Sequence, residues 1–182
     1  PISCQQAVCG PSRASLMTGC YPDTTRVYDL KTRMRDMNPD ILSIPQYFKQ
    51  QGYETTGTGK VYDPRCVDSA FDGPSWSIPF RQRPADEFFS KETGPSVNGF
   101  HDPRVRKDSR ALKAYLKDNA IKKSDKAEWN KAFVRFPFAK PPTECLDLPD
   151  DAYGDGATLN SAIKQMDSLA RGDKPFFLAV GF

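Results

Sequence analysis

Residues 176–180 read Phe-Phe-Leu-Ala-Val, and this unbroken apolar run limits the fold more than any other stretch of the chain. A strand with one wet face alternates apolar and polar side chains. A strand that is apolar at every position reads as buried on both faces, as in a parallel sheet covered by helices. The segment before it agrees. Over 156–170, Leu159, Ala162, Ile163, Met166, Leu169 and Ala170 recur at helical spacing, and Gly172 supplies a stop. A second helix–strand unit is expected upstream. Its helix covers 44–51, with Ser43 as cap, Pro45 in the first turn, Gly52 at the end, and Ile44, Tyr47 and Phe48 as the buried stripe. A short strand over 53–58 follows. Helices alternating with such strands place the chain in the α/β class.

The remainder is less regular. A short helix is expected over 11–17, opened by Pro11 and closed by Gly19. Residues 20–40 read as loop, with Tyr21-Pro22-Asp23 and Asn38-Pro39-Asp40 as turns. Residues 63–150 hold most of the 16 prolines and form a long proline-rich excursion from the central sheet, helical only near 108–121 and 125–134. A net charge of +3, without an interleaved basic and aromatic groove, argues against nucleic acid as a partner. No apolar run approaches a membrane span, so the chain is not expected to cross a bilayer. Zinc is disfavoured, because His101 is the sole histidine and no C-x-x-C pair exists. The five cysteines, at 4, 9, 20, 66 and 145, are odd in number, which suggests pairs plus one held back for chemistry, with the connectivity open. The first residue is not Met and the last residues lie on a core strand, so the native protein is expected to continue at both ends.

Cys9 stands out among the five by its position. It opens Cys9-Gly10-Pro11-Ser12-Arg13-Ala14-Ser15-Leu16-Met17-Thr18-Gly19, just where a helix begins. Unsatisfied backbone N–H groups and the helix dipole favour an anion there. This segment resembles the first signature of the formylglycine-dependent sulfatase family. The second signature is matched by Gly52-Tyr53-Glu54-Thr55-Thr56-Gly57-Thr58-Gly59-Lys60. Two long motifs in the right order and spacing form a specific signal. Gln5 to Cys9, Pro22 to Arg26, Ile44 to Phe48 and Pro175 to Gly181 further resemble the iduronate-2-sulfatase-like branch of that family. The likeness reaches both ends of the chain and is weak from about residue 81 to 140.

The resemblance implies an alkaline-phosphatase-like sulfatase domain with a central, mostly parallel sheet flanked by helices. Residues 1–182 would be part of that catalytic domain, without its N-terminal metal-binding strand and its C-terminal part. It implies that Cys9 is oxidised to formylglycine by a formylglycine-generating enzyme. The hydrated aldehyde is the nucleophile, and Cys9 is also a ligand of calcium, a hard cation that takes oxygen donors. Arg13 steadies the diol, and Lys60 binds the sulfate oxygens of the substrate. That substrate is a sulfated uronic acid or another sulfated glycan, and the setting is extracytoplasmic: secreted, periplasmic or lysosomal. Since the family's other metal ligands are outside this stretch, the segment alone is expected to be inactive.

One position departs from the family. A histidine follows the second signature there, whereas this chain has Asp63 after Val61-Tyr62. A carboxylate does not supply that positive charge. Asp63 is therefore either a turn residue before Pro64 or the mark of a subgroup with a different substrate. The same departure supports an alternative class, a non-catalytic carbohydrate-binding remnant of the fold.

Three further features carry both a plain and a functional reading. Residues 104–126 hold nine Lys or Arg against three Asp. They form either a solvated helix face or a patch that attracts a sulfated polysaccharide. Phe71, Trp76 and Phe80 either line a sugar site or pin the proline-rich segment to the sheet. His101, in a Gly-Phe-His-Asp-Pro turn, is expected to have no special role.

Overall fold

The computed structural model describes residues 3–96 and 99–182. The chain divides into two compact units, one formed by Pro1–Phe88 with Ala157–Phe182 and the other by Phe89–Gly156.

In the first unit, helix α1 (Cys9–Thr18) is followed by two single-turn helices, α2 (Pro22–Thr25) and α3 (Met34–Met37). Residues 20–40 are thus more ordered than a loop. Val27 and Met34 are fully buried there, and Asn38 Nδ2 donates to the Thr25 carbonyl at 2.8 Å. Helix α4 (Ile44–Gln50) begins as expected, with Ser43 Oγ accepting from the Gln46 N–H at 3.3 Å and Pro45 in the first turn. Its expected stripe is corrected. Pro45 is buried and Phe48 stacks on Phe177 at 5.1 Å, while Ile44 and Tyr47 are exposed.

Strand β1 (Glu54–Gly59) pairs in parallel with β2 (Phe176–Gly181), in a register that sets Glu54 beside Phe176 and Gly59 beside Gly181. The α/β expectation holds, with both strands within a residue of their expected places. Burial of β2 does not follow expectation. Among the described residues it has one neighbour, β1, and its side chains are half-buried, with Val180 exposed.

Residues 63–88, expected to belong to the excursion, pack into this unit's core. Trp76 stacks on Phe80 at 5.1 Å, Phe80 contacts Phe71 at 5.3 Å, and Trp76 Nε1 donates to the Phe71 carbonyl at 2.7 Å. Trp76 and Phe80 are buried with Tyr62, Cys66 and Val67. These aromatics pin the segment to β1.

The second unit holds α5 (Pro103–Asp118) and α6 (Lys126–Arg135), around Leu112, Ala132 and Ala139 with Phe133 and Phe136 against them. Asp102 caps α5, its carboxylate accepting from the Arg104 N–H at 2.8 Å. The basic residues of α5, Arg104, Arg106, Lys107, Arg110, Lys113 and Lys117, are all exposed. His101 is a structural residue: Nε2 lies 2.6 Å from the Ala152 carbonyl, and its ring meets Tyr153 edge-on. Glu144 accepts from the His101 and Asp102 N–H groups and from Tyr153 Oη.

The last helix, α7 (Gly154–Ala170), runs a little longer than expected. It buries Ala157, Thr158, Ser161, Ala162 and Leu169, and leaves Leu159, Ile163 and Met166 exposed. All five cysteines are free thiols, so the expected pairing is not present.

Candidate active site

The site forms where α1 begins and β1 ends. Val8 is extended (φ −140°) and Cys9 is the first helical residue, so the cysteine projects from the helix start, half-buried. Gly10 and Pro11 behind it are buried. A side chain at residue 10 has no room, because a Cβ there would sit 2.5 Å from Cys66 Sγ and 3.0 Å from the Asp29 carbonyl. Two glycines bring the strand ends together. Gly59 has φ +77°, a conformation other residues rarely adopt, and a Cβ on it would overlap the Gly181 carbonyl. The Lys60 N–H then donates to Gly181 at 2.8 Å, and the chain turns away from the sheet carrying residues 60–66.

Arg13 joins the two signatures. Its Nη1 donates to the Lys60 carbonyl and, at 3.1 Å, to the Val61 carbonyl. These bonds hold the turn after β1 against the second turn of α1. All three expected site residues, Cys9, Arg13 and Lys60, belong to this one junction.

Asp63 lies at its centre. Its side chain has no exposure, and Cys9 Sγ donates to Oδ2 at 2.9 Å. Arg65 makes a two-pronged pair with the same carboxylate, Nε to Oδ1 at 2.9 Å and Nη2 to Oδ2 at 2.9 Å, and the Arg65 backbone N–H adds a third bond at 3.1 Å. Lys60 Nζ stands 3.8 Å from Oδ2. The Arg65 guanidinium holds the Asp63 carboxyl far below the usual carboxylate range. Burial opposes this, and the Cys9 hydrogen bond assists it. Asp63 is therefore charged and engaged, and it is also the turn residue expected before Pro64, its Oδ1 accepting the Arg65 N–H and its carbonyl the Cys66 N–H at 2.9 Å. Arg65 Nη2 is 3.6 Å from Cys9 Sγ, with about half of the side chain exposed.

Sequence reasoning missed Arg65. An Asp-Pro-Arg after a strand reads as a solvated turn, and the only available signal was the i,i+2 spacing of opposite charges just past the second signature. The neighbouring Cys66 is buried, and its thiol is pushed up to about 11 by that burial and by the Asp63 charge.

The residues in hand do not compose a calcium site. Among the described residues no three His, Cys, Asp or Glu side chains converge to hold a metal. The carboxylate against Cys9 is already bound by Arg65, with Lys60 close by. A hard dication needs six to eight oxygen donors, and this junction offers cations instead.

Comparison with known proteins places the chain in a family. A family model described as Sulfatase matches residues 2–182. Iduronate 2-sulfatase of Homo sapiens is 32% identical over 180 residues, covering 98% of this chain and 26% of that protein. The Mus musculus iduronate 2-sulfatase is 30% identical over the same share of each chain. A protein named Sulfatase from Formosa agariphila is 41% identical over 75 residues, 38% of this chain and 15% of that protein. The chain belongs to the sulfatase family. It spans about a quarter of the length of the iduronate 2-sulfatases it matches.

Proposed function

We propose that the protein carrying this chain hydrolyses sulfate esters of a sulfated uronic acid or a related glycan, with Cys9 as the reaction centre. The observation that carries this is the junction itself. The two signatures meet through the bonds from Arg13 to the Lys60 and Val61 carbonyls, 47 and 48 residues further along the chain, with Cys9 at a helix start and Lys60 Nζ 3.8 Å from the carboxylate that Cys9 bonds. Formylglycine made from Cys9 would supply, once hydrated, a hydroxyl able to attack sulfur and a second able to release sulfate. The chain's own residues do the rest. The first N–H groups of α1 and the ammonium of Lys60 favour negative charge where the sulfate sits. Arg13 keeps those two elements in register. Calcium is the metal the family resemblance implies. Cys9 is its one candidate ligand in this junction, and no step is assigned to the metal.

The iduronate 2-sulfatase relatives support a uronic-acid sulfate as substrate, and the extracytoplasmic setting is what the family resemblance implies. No helix among the described residues is long and apolar enough to cross a membrane. The test is to express the complete natural protein with a formylglycine-generating enzyme, confirm conversion of Cys9 by peptide mass, and assay sulfate release from 2-O-sulfated uronic-acid disaccharides and an aryl sulfate. Turnover that disappears in Cys9→Ala supports the proposal. Unconverted Cys9, or sugar binding without sulfate release, overturns it in favour of a carbohydrate-binding protein.

A further inference from the structure

Arg65 is placed unlike an ordinary surface arginine. Three bonds to a fully buried carboxylate fix it within its own turn, and the Cys66 N–H closes that turn on the Asp63 carbonyl at 2.9 Å. The paired edge of the guanidinium, Nε and Nη2, faces Asp63. Nη1 has no hydrogen-bond partner among the described residues, and about half of the side chain is open to solvent. The group therefore presents a donor edge beside Cys9, with Nη2 3.6 Å from Sγ. A clamp that served only to neutralise Asp63 would not need this exposure, nor this closeness to the reactive residue.

We propose that Arg65, oriented by Asp63, binds the sulfate of the substrate beside Cys9, and that the Asp63–Arg65 pair supplies a cation just past the second signature, in addition to Lys60. This rests on the reading of Cys9 as the reaction centre. The outer edge, Nη1 and the second N–H of Nη2, suits a tetrahedral oxyanion, because neighbouring N–H groups can reach two of its oxygens while Nε and Nη2 stay on Asp63. Lys60 adds a second cation at the same place, so an entering sulfate meets two positive charges for the one negative charge of Asp63. Asp63 is a positioning residue, acting through Arg65. Arg65 is the binding group.

The probe is inorganic sulfate, titrated calorimetrically into the complete natural protein and its variants, with thermal unfolding of each recorded alongside. Arg65→Ala is expected to weaken sulfate binding about 10- to 100-fold, the usual loss for hydrogen bonds between charged groups. Arg65→Lys, which keeps the charge and loses the fork, should fall between the two. Asp63→Asn should weaken binding as well, and Asp63→Asn combined with Arg65→Ala should be no worse than Arg65→Ala alone. Lys107→Ala, on the second unit, should bind as the natural protein does. If Arg65→Ala proves unfolded, Arg65→Gln and Arg65→Lys decide the matter. Sulfate affinity within about twofold of the natural protein in a folded Arg65 variant overturns the proposal, and so does absence of sulfate binding by the natural protein. Ester hydrolysis that is indifferent to Arg65 sinks this inference and leaves the proposed function standing. Arg65-dependent sulfate binding without hydrolysis does the reverse.

Discussion

Gly10 packs against Cys66 so closely that a Cβ on residue 10 would lie 2.5 Å from the Cys66 sulfur. The glycine inside the first signature thus has a packing reason. It lets the start of α1 settle onto the turn that carries Asp63 and Arg65. Gly10→Ala should destabilise by about 1–3 kcal/mol, the usual range for an overpacked interior. Gly10→Ala combined with Cys66→Ala should recover most of that loss, because the second change removes the atom in the way. Urea unfolding of the three variants measures both effects. Additive losses in the pair would show that the sulfur is not the obstacle.

The Cys66 thiol provides a pH test. Its value of about 11, against 9.0 for an unburied thiol, comes from burial first and from the Asp63 charge second. A pKa raised in the folded state gives stability that is present below the unfolded value and lost as pH rises through the folded one. The natural protein should therefore lose stability between about pH 9 and 11 more steeply than Cys66→Ala. At pH 8 iodoacetamide should modify exposed Cys4 well before Cys66, with Cys66 reacting appreciably only near pH 11. Mass spectrometry of the alkylated peptides reads this directly.

Much of the fold was legible because period and punctuation are local signals. Ser43, Pro45 and Gly52 mark α4, and the run at 176–180 marks β2. Periodicity identifies apolar residues, however, and does not say which of them find partners. On α7 it selects Ala162 and Leu169, which are buried, but also Leu159, Ile163 and Met166, which are exposed, and it passes over the buried Thr158 and Ser161. The reason is close approach: Thr158 Cγ2 would be 3.0 Å from a Cβ on Gly59, and Thr56 Oγ1 bonds Gln165 at 3.3 Å. Only small side chains fit a helix laid so near a strand of threonines and glycines. Of the site, Cys9, Arg13 and Lys60 were visible through the two signatures. The engagement of Asp63 was not, because a buried carboxylate is recognised by its partner, and Arg65 lies past the end of the motif.

Arg35 and Asp72 form a second buried ion pair, away from the signatures. Asp72 is 1% exposed and takes two bonds from Arg35, Nη2 to Oδ2 being 2.9 Å long. Arg35 also reaches the Ile41 carbonyl at 2.9 Å and Gln46 Oε1 at 2.8 Å, tying α3 to α4. Ser75 Oγ and Tyr62 Oη share the same carboxylate. Arg35→Ala leaves a buried charge without its cation and should cost about 3–5 kcal/mol. Removing both partners, in Arg35→Met with Asp72→Asn, should cost less than Arg35→Ala alone. Denaturant midpoints measure this, and a double variant weaker than Arg35→Ala would contradict it.

Gly181 sets where the sheet places Lys60, through the bond from the Lys60 N–H at 2.8 Å. A Cβ at 181 would overlap the Lys60 carbonyl and lie 2.7 Å from the Val61 nitrogen. Gly181→Ala must therefore push the end of β2 away from β1, at the bond from the Lys60 N–H to the Gly181 carbonyl. The turn from Lys60 to Arg65 hangs from that bond and from Arg13. The expected result is a stability loss of about 1–3 kcal/mol, accompanied by weaker binding of inorganic sulfate, since Lys60 and Arg65 shift together. Gly172→Ala is the matched control. Its nearest neighbour, the Leu169 carbonyl, is 3.4 Å from the added Cβ, an ordinary contact at a backbone angle any residue adopts. Gly172→Ala should leave sulfate affinity unchanged and alter stability by less than about 1 kcal/mol, with the sign set by reduced freedom of the unfolded chain. Calorimetry and thermal unfolding on both variants distinguish the cases. If Gly181→Ala loses stability but binds sulfate normally, the strand ends support the fold without positioning the cations.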